Sequence, residues 1–234
     1  MMNKNLKKAV LILVEGPTDE TVVKPGFEDF FLSKDIKVKI YPIRYDITLG
    51  NGHSYNKTYN IKNEITNKIK DFLSYSRLKK SDILEVIELI DIDGCYLADE
   101  LIEEDSSASH ITYSKDCIKT SNRESIIYRN ELKRHNIDQL IHTDKVYLDI
   151  PYSIYFFSSN LENYFFNDYN CDVETKIDYS FKKFELYKEN IANFYHDINQ
   201  NKTKSANYLF SWDELKEIKD YIPRLSNLFI FFNK

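Results

Sequence analysis

Cysteine is scarce in this chain: only Cys95, Cys117 and Cys171 occur among 234 residues. They are widely separated and form no C-x-x-C pair, which argues against a disulfide framework and a structural zinc site. Such sparse cysteine is typical of a reducing compartment, so we expect a cytoplasmic protein. Glycine and proline are also rare, at five each, so those that occur are informative about turns.

Long apolar runs and an excess of positive charge are missing as well. The longest apolar runs extend over about six residues, whereas a membrane span needs ~20, so we expect no membrane partner. The formal net charge is −5; bulk charge therefore does not predict nucleic-acid binding, and any such surface must be local. With 42% hydrophobic and 15% aromatic residues, the composition is that of a globular protein.

The most informative stretch is an apolar run that ends in two acids. Residues 84–90 are rich in Ile, Val and Leu and are followed by Asp91, Asp93 and Gly94, a pattern that predicts a buried strand closed by a turn. Strand alternation would place both carboxylates on one side. At roughly 4 Å their repulsion is about 4 kcal/mol at an effective dielectric of 20. We therefore expect a divalent cation, a shared proton or a basic partner to offset it, and oxygen donors favour a hard ion such as Mg²⁺.

A second acid follows the first strand of the chain. Residues 9–14 form a continuous apolar run, typical of a strand buried on both faces of a parallel sheet, and Glu15 comes directly after it. Since ligands of open α/β sheets bind at the carboxyl ends of the strands, we expect Glu15 to lie near Asp91 and Asp93. The helix that follows should be broken by Pro25-Gly26.

The order of strand and helix patterns predicts an α/β fold. We expect a Rossmann-like domain with a mainly parallel central sheet flanked by helices over residues 1–170. Residues 96–142 are expected to form a helical insertion, and residues 171–234 a helical C-terminal extension. A helix expected at 121–135 carries four basic residues that either grip phosphates or form a solvated face; these are Arg123, Arg129, Lys133 and Arg134.

Two motifs taken together resemble the TOPRIM domain. They are LILVEGPTDE at residues 11–20 and ELIDIDG at residues 88–94, and they match the Glu-Gly and Asp-x-Asp elements of that family. The EGxTDE form resembles the nuclease-type members, such as OLD-like nucleases and small phage-defence proteins. The resemblance covers roughly residues 8–168. It implies a Rossmann-like fold and metal-dependent cleavage of nucleic-acid phosphodiesters, with phage defence as the expected setting.

The resemblance also implies roles for individual residues. Glu15, Asp91 and Asp93 would be catalytic and would bind one or two Mg²⁺ or Mn²⁺ ions. Asp19 would add a contact to the metal, and Glu162, in SSNLENYFF at 158–166, matches the acid that follows the last strand. Nuclease-type members use a basic residue near the metals, for which Lys204 is the candidate, with Lys202 beside it. The implied partners are DNA or RNA, with a protein partner or a second copy of the chain in addition.

Other interpretations of the same residues stay open. Glu162 forms a Ser-x-x-Glu capping box with Ser159, which would give it a purely structural role. DIDGCYL at 91–97 also resembles the first motif of haloacid-dehalogenase-type phosphatases, where Asp91 would be a nucleophile. That motif normally lies near the N-terminus, and the late metal-binding acids of that family are missing. A third reading is a non-catalytic TOPRIM-like module that binds nucleic acid or a protein partner.

Overall fold

The computed structural model describes residues 8–32, 34, 36–42, 46–49 and 60–233. Its strands are β1 (Ala9–Val14), β2 (Lys37–Pro42), β3 (Ile83–Asp91), β4 (Ile102–Glu104), β5 (Thr112–Tyr113), β6 (Ile118–Thr120), β7 (Lys145–Val146) and β8 (Ile150–Phe157). Its helices are α1 (Pro17–Leu32), α2 (Ile61–Ser76), α3 (Arg123–Ile141), α4 (Leu161–Phe166), α5 (Val173–Glu189), α6 (Ala192–Gln200), α7 (Tyr208–Glu217) and α8 (Phe229–Phe232). Within these ranges, no helix combines the length and apolarity that a membrane crossing requires.

A five-stranded sheet in the order β2-β1-β3-β8-β7 forms the centre of the protein. The pairs β1–β2, β1–β3 and β3–β8 are parallel, and only the short edge strand β7 runs antiparallel to its neighbour. All six residues of β1 are buried, because helices cover both faces of the sheet. The predicted α/β fold, with a mainly parallel sheet flanked by helices, is confirmed at this level.

Two apolar layers pack on the sheet, one on each face. On one face, residues of α2, α3 and α7 join alternate residues of β1, β3 and β8, and Trp212 of α7 stacks on Phe156 at 4.7 Å between ring centroids. On the other face lie α1, α4, α5, α6 and α8. The C-terminal helices therefore supply buried residues to both sides of the sheet.

The segment 96–142 is not simply the expected helical insertion. It contains a three-stranded sheet in the order β4-β6-β5 followed by α3. That helix begins at Arg123, with the Asn122 side chain as its cap, and runs to Ile141. Its residues Ile137 and Leu140 are fully buried in the core beside the central sheet. The apolar positions at helical spacing continue past residue 135, which explains why the helix is longer than expected.

Helix α1 passes through Pro25-Gly26 without the expected break. The apolar residues Val22, Val23 and Phe27 are fully buried on both sides of the proline, and this packing offsets the backbone hydrogen bond that proline cannot donate. Gly26 does not mark a turn; it leaves room for a side chain of a neighbouring helix. A Cβ atom at this position would lie 2.0 Å from Cε1 of Phe194 in α6, so the glycine lets the two helices approach closely.

Gly26→Ala is expected to destabilise the protein by about 1–3 kcal/mol, because the new methyl group overlaps a buried aromatic ring. Helix propensity alone predicts the opposite, a gain of up to about 1 kcal/mol. Urea unfolding followed by circular dichroism measures the difference. Gly16→Ala is the control, since a Cβ atom there meets its nearest neighbour at 3.6 Å. Equal stability of the two variants would contradict the close contact.

Candidate active site

Acidic side chains gather at one edge of the sheet, beyond the carboxyl ends of four adjacent strands. Asp46 follows β2, Glu15 follows β1, Asp91 ends β3 and Glu162 lies in the helix after β8. Because these strands are parallel, their carboxyl ends meet at the same edge. The structure thus brings together acids that lie far apart in the sequence.

Glu15 links the first and third strands. Its Oε1 accepts a hydrogen bond of 3.1 Å from the main-chain N–H of Asp91. Asp19 lies in the first turn of α1, and its Oδ2 accepts a hydrogen bond of 2.7 Å from the N–H of Gly16. These two hydrogen bonds hold the turn between β1 and α1 and keep the carboxylates of Glu15 and Asp19 beside the end of β3.

Asp93 does not continue the strand. Its φ of +50° is left-handed, so strand alternation no longer decides where its carboxylate lies. Its N–H donates a 2.8 Å hydrogen bond to the carbonyl of Ser159, which ties this turn to the end of β8. Its Oδ2 accepts a 2.6 Å hydrogen bond from Nζ of Lys133. The sequence predicted that the carboxylates of Asp91 and Asp93 lie together on one side of a strand. In the structure they lie in two different environments.

Lys133 is fully buried and bridges two acids. Its Nζ lies 2.5 Å from Oδ2 of Asp46 and 2.6 Å from Oδ2 of Asp93. Burial alone would lower the pKa of Lys133, but Asp46, Asp93 and Glu15 raise it well above its ordinary value, so the ammonium stays charged. Burial likewise would raise the pKa of Asp93, but Lys133 and the neighbouring Arg129 outweigh it and hold that pKa below its ordinary value.

Glu162 is buried and pairs with Lys176 of α5 at 3.0 Å. The proposed capping box with Ser159 is not formed, because Asn160 caps α4 by accepting a hydrogen bond from the N–H of Asn163. Since Asn160 is the cap, Glu162 sits one position too early to complete the box. The ion pair with Lys176 and the place of Glu162 in the first turn of α4 stabilise this buried carboxylate, whose charge also acts on Asp19 and Asp91.

Three acids carry pKa values raised by burial and by each other. Burial raises the pKa of Asp91 well above its ordinary value, and Glu15, Asp19 and Glu162 raise it further, with Asp93 contributing least. Burial, then Asp46, raises the pKa of Glu15 in the same way. Burial, then Glu162, raises the pKa of Asp19 to about 7. Within the described part of the chain, no salt bridge reaches any of these three acids.

The arrangement fits a divalent cation in its donor chemistry. Glu15, Asp19 and Asp91 are partly exposed, so an ion from solvent has access to carboxylate oxygens that lack a cation. The hydroxyl of Ser159, in the turn before α4, is buried and has no hydrogen-bond partner among the described residues. In the same part of the chain, no group of three or more His, Cys, Asp or Glu side chains is already arranged as a metal site. The donors suit Mg²⁺ or Mn²⁺.

The basic residues named from the sequence lie elsewhere or act differently. Lys204 is exposed, and its main-chain N–H donates to Glu214. Lys202 lies over the ring of Phe229 at 5.0 Å. Within the described ranges, neither lysine forms an ion pair with the acidic edge.

Lys133 of α3 is fully buried, whereas the three arginines of this helix are half-buried, and Arg123 also pairs with the exposed Glu124. The guanidinium of Arg129 donates to the carbonyl of Asp93, that of Arg134 to the carbonyl of Cys95, and that of Arg123 to the carbonyls of Asp99 and Ile102. They brace residues 93–102, the segment that carries the Asp93 turn. These donors are occupied and contribute to the site by shaping it.

The structure brings to the edge two residues that the sequence analysis did not single out, Asp46 and Lys176, and it gives Lys133 a contact that was not predicted. Asp46 lies four residues beyond the end of β2 at Pro42, whereas Glu15 directly follows β1, so the strand-end rule points to Asp46 less directly. Lys133 lies at helical spacing from the buried residues Ile126 and Ile137, which places it on the inward face of α3. Lys176 has no comparable signal, because only the fold brings α5 next to Glu162.

The raised pKa values predict that, without metal, the protein loses stability as the pH rises. Asp19 binds its proton more tightly in the folded chain than in the unfolded one, so its contribution is complete below about pH 4 and is lost as the pH rises through 7. Burial also raises the pKa of Glu88 to about 8, which extends the loss to that pH. In EDTA we expect the Tm to fall by several degrees between pH 5 and 8. Asp19→Asn and Glu88→Gln should each flatten the curve, and an unchanged slope in both variants would contradict the assignment.

The chain matches no protein-family model, no curated protein and no solved structure. The resemblance to the TOPRIM domain therefore stays a prediction from the motif residues.

Proposed function

We propose that the protein is a divalent-metal-dependent nuclease of TOPRIM type that cleaves nucleic-acid phosphodiesters. The observation that supports this most is the set Glu15, Asp19 and Asp91, whose carboxylates share one sheet edge, carry raised pKa values and have no salt bridge within the described residues. Removing like charges from water costs free energy, and a bound cation would recover it.

We assign each residue a role from its position at the sheet edge. Glu15 and Asp91, joined by a hydrogen bond, would hold an Mg²⁺ or Mn²⁺ ion together with Asp19 and Glu162. When bound, the metal supplies an activated water and neutralises charge on the reacting phosphate. Alternatively, Glu15 would serve as a general acid or base, since burial and Asp46 raise the pKa of its carboxyl. The ammonium of Lys176, which is partly exposed beside Glu162, is placed to attract a phosphate oxygen.

Cleavage assays test the proposal directly. Purified protein is incubated with supercoiled DNA, single-stranded DNA or structured RNA, each with Mg²⁺, Mn²⁺ or EDTA. We expect cleavage of at least one substrate class with metal and none in EDTA. Cleavage that persists in EDTA would contradict the metal, and binding of nucleic acid without cleavage under any condition would favour a non-catalytic module.

The variant Glu15→Gln separates the nuclease from a phosphatase that uses Asp91 as its nucleophile. A nuclease of the proposed kind loses activity with this change, because Glu15 belongs to the metal site. A phosphatase would keep its activity on small phosphomonoesters while losing it with Asp91→Asn. That second pattern would overturn the proposal.

A further inference from the structure

The acidic edge has two halves, one with Asp46 and Asp93 and the other with Asp91, Asp19 and Glu162. Lys133 makes them unequal, because it pairs with both acids of the first half. It reaches the edge from α3, whereas Asp46 comes from the segment after β2 and Asp93 from the turn after β3. Its side chain is fully buried, and its Nζ lies within 2.6 Å of a carboxylate oxygen of each acid. An ammonium group has three donors, so two of them are committed to this pair.

A metal ion that binds Oδ2 of Asp93 would have to displace this ammonium. Lys133 has no exposed surface, and α3 is anchored on both sides of it by buried residues such as Asn130 and Ile137. The backbone around Asp93 is also fixed, since Arg129 donates to its carbonyl and Ser159 accepts from its N–H. If the ammonium of Lys133 moved away from Asp93, its buried positive charge would lie beside fewer anions, which costs free energy.

On the other side of the edge Glu162 pairs with Lys176, but among the described residues Asp91 and Asp19 form no salt bridge. Asp91, Asp19 and Glu162 influence one another electrostatically, and Lys176, whose ion pair is with Glu162, also acts on Asp91 and Asp19 through its charge. Glu15 lies between the halves, since it contacts the main chain of Asp91 and its charge also acts on Lys133. Among the described residues, the acids of the edge that lack an ion pair are therefore Asp91 and Asp19, with Glu15 beside them.

We propose that Lys133 is the resident cation of the Asp46–Asp93 half, so that Asp93 is a positioning residue and a divalent ion binds only on the side of Asp91. The second clause rests on the proposed function, whereas the first does not. Lys133 supplies a fixed positive charge beside the ion, a role that a second ion plays in two-metal sites.

Thermal unfolding of Asp91→Asn and Asp93→Asn tests this inference. The two changes are isosteric, and Asn tolerates the left-handed backbone of residue 93 as well as Asp does, so any difference reports charge. In EDTA we expect Asp93→Asn to melt roughly 5 °C below the wild type, because Lys133 loses an anion. Asp91→Asn should melt no lower than the wild type, because it removes an uncompensated acid.

Addition of Mn²⁺ separates positioning from binding. We expect the rise in Tm that Mn²⁺ produces in the wild type to be kept in Asp93→Asn and lost in Asp91→Asn. Loss of the rise in Asp93→Asn, or equal melting of Asp93→Asn and the wild type in EDTA, would overturn the inference. If Mn²⁺ does not stabilise the wild type, the metal-dependent function fails, and the comparison in EDTA alone still decides the role of Lys133.

Discussion

Asp91→Asn is expected to lower metal-dependent cleavage about 10³-fold while leaving the metal-free protein at least as stable as the wild type. Asp91 lies at the centre of the acidic edge, with its N–H bound to Glu15 and its carboxylate among Glu15, Asp19 and Glu162. A ligand that positions the ion acts in the transition state, where metal stabilisation is worth several kcal/mol, and about 4 kcal/mol corresponds to that factor.

The same substitution should not harm the fold. Burial and neighbouring acids raise the pKa of Asp91, so its charged form is disfavoured in the folded chain and an amide removes that cost. Initial rates with saturating Mg²⁺ give the activity, and urea unfolding in EDTA gives the stability. Glu103→Gln is the control, because Glu103 is an exposed acid in β4 that pairs with Lys119 at 3.4 Å. Similar rates for both variants would remove Asp91 from the mechanism.

Lys133→Met is expected to cost about 3–5 kcal/mol of stability at pH 7, because it leaves two carboxylates at the edge without their cation. The ammonium is fully buried and contacts both Asp46 and Asp93, and methionine fills a similar volume without charge. The free energy of unfolding in urea, measured in EDTA, reports the loss. Lys119→Met is the matched control: its ion pair with Glu103 is more than half exposed, so its loss should stay below about 1 kcal/mol.

The pH dependence of this loss provides a second check. The pKa of Asp93 is held below its ordinary value by Lys133 and Arg129, against the effect of burial, so the ion pair contributes stability above the unfolded pKa and loses it as the pH falls through the folded one. The gap between the wild type and Lys133→Met should therefore narrow in acid. A gap that is no larger than that of Lys119→Met at pH 7 would show that Lys133 is not the cation of this half.

The sequence predicted those parts of the fold that depend on local pattern. The apolar runs at 9–14 and 84–90 are strands, and the rule that parallel strands end at one edge brought Glu15 and Asp91 to the same place. Pro25 was expected to break α1, but packing on both sides outweighed the local preference. Ser159 was expected to cap α4, but the neighbouring Asn160 does so.

The charge partners could not be predicted, because they depend on tertiary contacts. Lys133 lies 40 residues from Asp93. Of the four basic residues on α3 it is the buried one, and the local pattern indicates this only through its place on the inward face of the helix. Lys176 reaches Glu162 only because α5 packs beside α4. A basic partner, one of the three ways to offset repulsion between neighbouring acids, thus applies to Asp46, Asp93 and Glu162, and a cation at Glu15, Asp19 and Asp91 is our proposal.

Direct measurement of Mn²⁺ binding tests the proposed metal site most simply. Protein stripped with EDTA and dialysed is titrated with Mn²⁺, and the free ion is followed by electron paramagnetic resonance, for the wild type beside Asp91→Asn. We predict that the wild type removes Mn²⁺ signal in proportion to its concentration and that Asp91→Asn does not. Equal binding by both proteins, or no binding by the wild type, would contradict a divalent-ion site at this edge of the sheet.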